Sequence, residues 1–125
     1  MAVAGTASDE VRASHLLIKH AESRNPVSRR TNKSTASTSR ALAEAELRRW
    51  KEELLKDSRP MAEKFAALAY HRSDCGSFES GGDLGVFGRQ EMQEPFEHAT
   101  YALAIGDVSD IVSTESGLHL IFRTG

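Results

Sequence analysis

Two histidines stand inside apolar runs, His15 in SHLLIKH and His119 in GLHLIF. An imidazole in a buried strand must find hydrogen-bond partners or cost about 1–3 kcal/mol of unpaired polar burial. If the first and last strands are neighbours, the two rings can serve each other, with Thr114 and Ser116 in the preceding turn as further donors and acceptors. Two separately satisfied core histidines are the plainer alternative, and composition alone favours it. Without a third ligand at recognisable spacing the pair makes a poor metal site, so no metal is expected. The one cysteine, Cys75, lies between Asp74 and Gly76 in a glycine-rich stretch. It is either an exposed reactive thiol or an incidental small side chain, and a single cysteine cannot build an internal disulfide framework. Use of that thiol in hydrolysis would need a base, an orienting group and an oxyanion hole, none of which has a sequence signature here.

Between Lys19 and Arg40 the chain carries Lys19, Arg24, Arg29, Arg30, Lys33 and Arg40 against the single acid Glu22. Ammonium groups and guanidinium forks on a loop can clamp a phosphate through charge-assisted bonds, or can simply be solvated. Nucleic acid is disfavoured as the ligand, because the loop has no aromatic residue on which a base could stack and the whole chain has a net charge of -2. Leu84, Phe87, Met92 and Phe96 are core residues by default. Met92 and Phe96 flank Pro95 at a loop-to-helix junction, where some of the four could instead line an apolar pocket for a small ring.

The elements that must position these groups can be read from periodicity. Residues 1 to 10 are small and polar and predict a flexible tail, with the ordered domain over 11–125. VRASHLLIKH, apolar on both faces in its later part, predicts a central strand. A long loop from Ala21 to about Thr38 follows, either functional or a dispensable linker. Ala43, Leu47, Trp50 and Leu54 then mark an amphipathic helix to Lys56, and Asp57–Pro60 breaks the chain before a second apolar stripe at Met61, Phe65, Leu68 and Ala69. SDCGSFESGGDLGVFGR reads as mostly loop ending in a short strand at Leu84–Phe87. Glu94-Pro95-Phe96 opens a third helix to about Leu103, and two strands at 111–113 and 118–123 are joined by a hairpin-like turn with Gly117 where positive φ is needed. This order predicts an α+β domain with a central, mainly antiparallel sheet. The chain of 125 residues has no apolar run near the ~18 needed to span a bilayer, and its first ten residues lack the pattern of a secretory signal.

The strings VRASHLLIKH, GGDLGVFGRQEMQEPFEHATYAL and GDVSDIVSTESGLHLIFRTG resemble the parvulin peptidyl-prolyl isomerases in sequence and order, from residue 11 to the C-terminus. The similarity is strongest to the Pin-type branch, which acts on phosphoserine- or phosphothreonine-proline bonds, because the long basic loop follows the first strand. The resemblance implies a four-stranded, mainly antiparallel sheet surrounded by helices, as in parvulin and FKBP-like folds. It also implies cis/trans isomerisation of X-Pro bonds without a cofactor, in proteins or peptides containing (phospho)Ser/Thr-Pro, by a monomer of the cytoplasm or nucleus that contacts neither membrane nor nucleic acid. A module that binds such segments without turning them over is the alternative. On this resemblance His15, Cys75, Thr114, Ser116 and His119 form the catalytic group, Leu84, Met92 and Phe96 the proline pocket, and Gln93 a backbone contact. Lys19 and Arg24 match the phosphate-binding positions. Where many Pin-type members have two adjacent arginines, Arg24 is followed here by Asn25, so one phosphate donor is expected to be either weakened or supplied by Arg29 or Arg30. The ten leading residues leave no room for the WW module of some relatives, so the catalytic domain is expected to find substrates alone.

Overall fold

The apolar run after Glu10 forms β1 (Val11–Ile18), buried without a break from Ala13 onward. The computed structural model describes residues 10–125, and residues 1–9 of the expected tail lie outside the described residues. After β1 come α1 (Arg40–Lys56), α2 (Met61–Arg72), a one-turn 3₁₀ segment at Gly76–Ser80, β2 (Asp83–Phe87), α3 (Glu94–Ala102), β3 (Val112–Thr114) and β4 (Gly117–Arg123). The strands form one antiparallel sheet in the order β2-β1-β4-β3, so β1 is central, as its two-faced apolar pattern predicts. The 3₁₀ turn falls where the sequence predicts loop, since its glycines and polar residues mask the local turn.

Strand periodicity of two sorts the side chains into two layers. Even-numbered Leu16, Ile18, Leu118, Leu120 and Phe122 pack with Ala43, Leu47 and Leu54 of α1 and Phe65 of α2. The odd-numbered Val11, Ala13 and Ile121 pack on the other face with Phe87 and Phe96. In the β1–β4 register His15 lies opposite Ile121 and Leu17 opposite His119. The two histidines are therefore diagonal neighbours on the odd face, within reach of each other's rings.

Local sequence explains the helix ends. Ser39 Oγ accepts the Leu42 N–H at 3.1 Å and caps α1. Between α1 and α2 the cap position is Pro60, while the Asp57 carboxylate turns to the backbone N–H and guanidinium of Arg59. Pro95 sits in the first turn of α3, where its missing N–H costs nothing. Among the described residues no helix is long and apolar enough to cross a membrane.

The segment 21–38 is an ordered excursion. Val27 and Ser34 form an antiparallel bridge, and backbone bonds join Ala21 N–H to the Thr38 carbonyl at 2.8 Å and Thr35 N–H to the Pro26 carbonyl at 2.7 Å. Two further backbone bonds tie it to the site. Arg29 N–H donates to the Asp74 carbonyl at 2.9 Å, and Arg24 N–H to the Glu115 carbonyl at 2.8 Å.

Candidate functional site

Two glycines let the backbone close around His15 and Lys19. Gly82, at φ 85°, passes so near the His15 carbonyl that a side chain there would collide with it, and its own carbonyl accepts the His15 N–H at 2.9 Å. Gly117, at φ 146°, leaves no room either, because a Cβ would sit 2.7 Å from the Ile18 carbonyl oxygen. Thr114 pairs with Gly117 across a two-residue turn, which places Glu115 and Ser116 at the tip beside the end of β1.

The histidines meet as the strand pattern predicts. His15 Nδ1 and His119 Nδ1 are 2.9 Å apart, and Thr114 Oγ1 lies 2.7 Å from His119 Nε2. Thr114 Oγ1 also accepts the Ser116 N–H at 3.1 Å. Burial, then the neighbouring His15, holds His119 well below the ordinary imidazole range, so it is neutral at pH 7. A neutral ring has one donor and one acceptor nitrogen. When the Thr114 hydroxyl donates to Nε2, His119 Nδ1–H donates to His15. That leaves the His15 proton on Nε2, a buried ring nitrogen with no hydrogen-bond partner among the described residues. Burial by itself pushes the Cys75 thiol up, but His15 and the hydroxyl and N–H of Ser77 outweigh it, and the thiol comes down to about 6. Cys75 is half-buried and its N–H donates to Ser73 Oγ at 3.4 Å.

On one side of Cys75 lies a cavity of about 190 Å³ lined by Leu17, Lys19, Arg24, Asn25, Arg29, Cys75, Gly76 and Ser116. Lys19 is buried, with Nζ donating to the Val27 carbonyl at 2.7 Å, and burial lowers its pKa. Arg24 is largely exposed, 3.9 Å from Glu115. Arg29 joins this wall and Arg30 does not. The Arg30 Nε donates instead to the Ser73 carbonyl at 3.2 Å.

On the other side of the histidines lies the apolar cluster. The buried Phe96 ring stands edge-on to both imidazoles, 5.5 Å from His15 and 5.1 Å from His119, and half-buried Leu84 and Met92 pack against the Phe87–Phe96 cluster. Gln93 links the two regions. It makes no side-chain cap bond to α3; its Nε2 donates to Ser116 Oγ at 2.8 Å and its Oε1 accepts the Glu115 N–H at 3.0 Å. Wider clefts occur elsewhere, such as one of about 500 Å³ beside Trp50, Leu54 and Leu68, which Cys75 does not line. Among the described residues no cluster of three or more histidine, cysteine or acidic side chains could hold a metal ion.

The model of the PPIC-type PPIase domain family, the rotamases, matches residues 15–125. The chain belongs to the PPIC-type peptidyl-prolyl isomerases. It is 48% identical over 120 residues to peptidyl-prolyl cis-trans isomerase Pin1 of Digitalis lanata, covering 94% of this chain and 98% of that relative. To the isomerase ESS1 of Saccharomyces cerevisiae it is 49% identical over 115 residues, covering 92% of this chain and 65% of ESS1. A solution structure of TbPIN1 superposes with a TM-score of 0.83 at 50% identity, over 94% of this chain and 99% of that one. The enzyme is thus a peptidyl-prolyl cis-trans isomerase acting on proteins, and the alternative of a binding module without turnover falls away.

Sequence reading missed several residues that build this candidate site. Ser73 is fully buried and its Oγ accepts the Leu17 N–H at 3.1 Å, aligning the chain that presents Cys75 with β1. Buried Asp74 accepts the Lys19 N–H at 2.9 Å, and Ser77 acts on the thiol. Asp74 was accessible only through its adjacency to Cys75; Ser73 and Ser77 carry no pattern of their own.

Proposed function

We propose that the isomerase prefers phosphoserine- and phosphothreonine-proline bonds and turns them without a covalent step. One observation carries this reading: Lys19, Arg24 and Arg29 share a single small cavity with Cys75 and Ser116, and Gln93 joins that cavity to Met92 and Phe96. The three cations would hold the phosphate of the residue before proline, and Leu84, Met92 and Phe96 would hold the proline ring. The imide between them is then the one part free to move.

The barrier to that motion is about 18–20 kcal/mol, because rotation breaks amide resonance, and free X-Pro bonds exchange in tens to hundreds of seconds. An enzyme lowers it by binding the twisted imide better than the planar one, tenfold in rate for each ~1.4 kcal/mol. About 7 kcal/mol of such preference gives roughly a hundred-thousandfold. Resonance places negative charge on the planar carbonyl oxygen. A Cys75 thiolate beside that oxygen disfavours the charge-separated planar form and has less effect on the twisted one. Ser116 and Gln93 supply polar atoms along the path of the carbonyl, and the histidine pair with Thr114 fixes Cys75 and the 115–116 turn. Residues 11–125 carry every one of these groups on one chain, so a monomer suffices.

The test is exchange spectroscopy on matched peptides carrying phosphoserine-proline, glutamate-proline and serine-proline. Fastest exchange for the phosphorylated peptide, reduced toward the serine value by Lys19→Ala or Arg29→Ala, supports the reading. Equal rates for all three peptides would overturn the phosphate preference.

A further inference from the structure

A line of alternating charges runs from the outer helix to the cationic cavity. Glu46 of α1 accepts Arg72 Nε at 2.5 Å and Arg72 Nη2 at 3.0 Å, together with the Trp50 indole N–H at 2.9 Å. The third nitrogen of the same guanidinium, Arg72 Nη1, donates to Asp74 Oδ1 at 3.1 Å. Asp74 Oδ2 accepts the Lys19 backbone N–H at 2.9 Å, and the Asp74 carbonyl accepts the Arg29 N–H. Arg72 and Glu46 side chains are about one-fifth to one-quarter exposed, while that of Asp74 is 3% exposed.

Asp74 is close enough to the Lys19 ammonium to act on its charge, yet Lys19 Nζ gives its hydrogen bond to the Val27 carbonyl. A buried carboxylate needs a cation. Two are at hand, and Arg72 has the better geometry, since its planar fork spans Glu46 and Asp74 at once. We infer that Arg72 is a positioning residue for the phosphate grip: by holding Asp74 against Glu46 it leaves the Lys19 charge unspent for the substrate. Without Arg72, Asp74 turns to Lys19 and draws the ammonium into an internal ion pair, and the bonds that seat Lys19 and Arg29 loosen. This inference rests on the phosphate preference proposed above.

The experiment measures kcat and KM for phosphoserine-proline and serine-proline peptides with the wild type, Arg72→Gln, Arg72→Lys and Glu46→Gln. Amide hydrogen exchange at Lys19 and Arg29 is followed in parallel. Arg72→Gln is expected to raise KM for the phosphorylated peptide roughly two- to thirtyfold, with the serine-proline value unchanged. The Lys19 and Arg29 amides exchange faster in that variant. Arg72→Lys keeps the charge but not the fork and recovers only part of the loss. Glu46→Gln removes an ion-pair partner of Arg72 yet leaves Arg72 on Asp74, so it lowers thermal stability without lowering phosphate preference. Equal losses on both peptides, equal loss of preference in Glu46→Gln, or full recovery by lysine would each overturn the inference. A wild type with no phosphate preference would instead overturn the reading beneath it, so the two failures are distinguishable. If Arg72→Gln does not fold, Arg72→Lys and Glu46→Gln still decide the matter, the first lowering phosphate preference in part and the second leaving it unchanged.

Discussion

Replacing Cys75 with Asp separates a charge beside the turning imide from a sulfur that attacks it. The thiol is brought to about 6, so roughly nine-tenths is thiolate at pH 7 and about one-tenth at pH 5. If the negative charge is what lowers the barrier, kcat/KM of the wild type falls about tenfold between those two values. The substrate for this test is an N-acetylated alanine-proline peptide, which has no group titrating between pH 5 and 8, whereas a phosphate would titrate near 6. An aspartate ionises near 4, so the Cys75→Asp profile is expected to be flat above pH 5, with activity retained. Cys75→Ala, with neither charge nor sulfur, should be low and flat. Rates come from exchange spectroscopy, and the thiolate fraction is followed independently by its ultraviolet absorbance across the same pH series. An Asp variant as inactive as the Ala variant at every pH would refute the charge argument and favour bond formation by sulfur. A wild-type rate that ignores a thiolate transition seen by absorbance would refute it as well.

Three further outcomes follow from the geometry. Lys19→Ala and Arg29→Ala should each lower kcat/KM for a phosphoserine-proline peptide about ten- to hundredfold, the value of one charge-assisted bond of about 1.5–3 kcal/mol. Arg24→Ala should cost less, because that side chain is exposed and shared with Glu115, and Arg30→Ala should leave the rate within about twofold; steady-state kinetics on all four variants checks the order. Stability should rise with pH from 5 to about 8.5. The depressed His20 and His119 let the unfolded chain take up protons first as pH falls below about 6.5, and the Cys75 thiol, about 6 when folded, stays protonated in the unfolded chain up to about 8.5. Urea midpoints across that range test the sign, and Cys75→Ala should flatten the upper part. Gly117→Ala should destabilise the fold by about 1–3 kcal/mol, since its φ of 146° and the Ile18 carbonyl 2.7 Å from a Cβ both oppose a side chain; a urea titration measures it.

The sheet and its histidines were legible because burial imposes period two on β1 and β4, and a polar ring inside such a run must have a partner. His15, His119 and Thr114 could therefore be grouped before their 2.9 and 2.7 Å contacts were known. The order within 21–38 was not legible, because it rests on backbone bonds such as Ala21 to Thr38 and Arg29 to Asp74, which any residue type can make. For the same reason sequence could name Arg29 and Arg30 as candidates but not choose between them. The path of the loop turns one into the cavity and the other toward Ser73. Glu46 and Arg72 left no trace either, since a salt bridge across 26 residues has no local period.

The most direct test of two fixed ends around a turning imide is a structure of the enzyme with a phosphoserine-proline peptide. The phosphate should lie within hydrogen-bond distance of Lys19 and Arg29, the proline ring should contact Leu84, Met92 and Phe96, and the carbonyl between them should stand beside Cys75. A peptide seated with its phosphate outside that cavity, or with its proline ring away from Met92 and Phe96, would contradict the account.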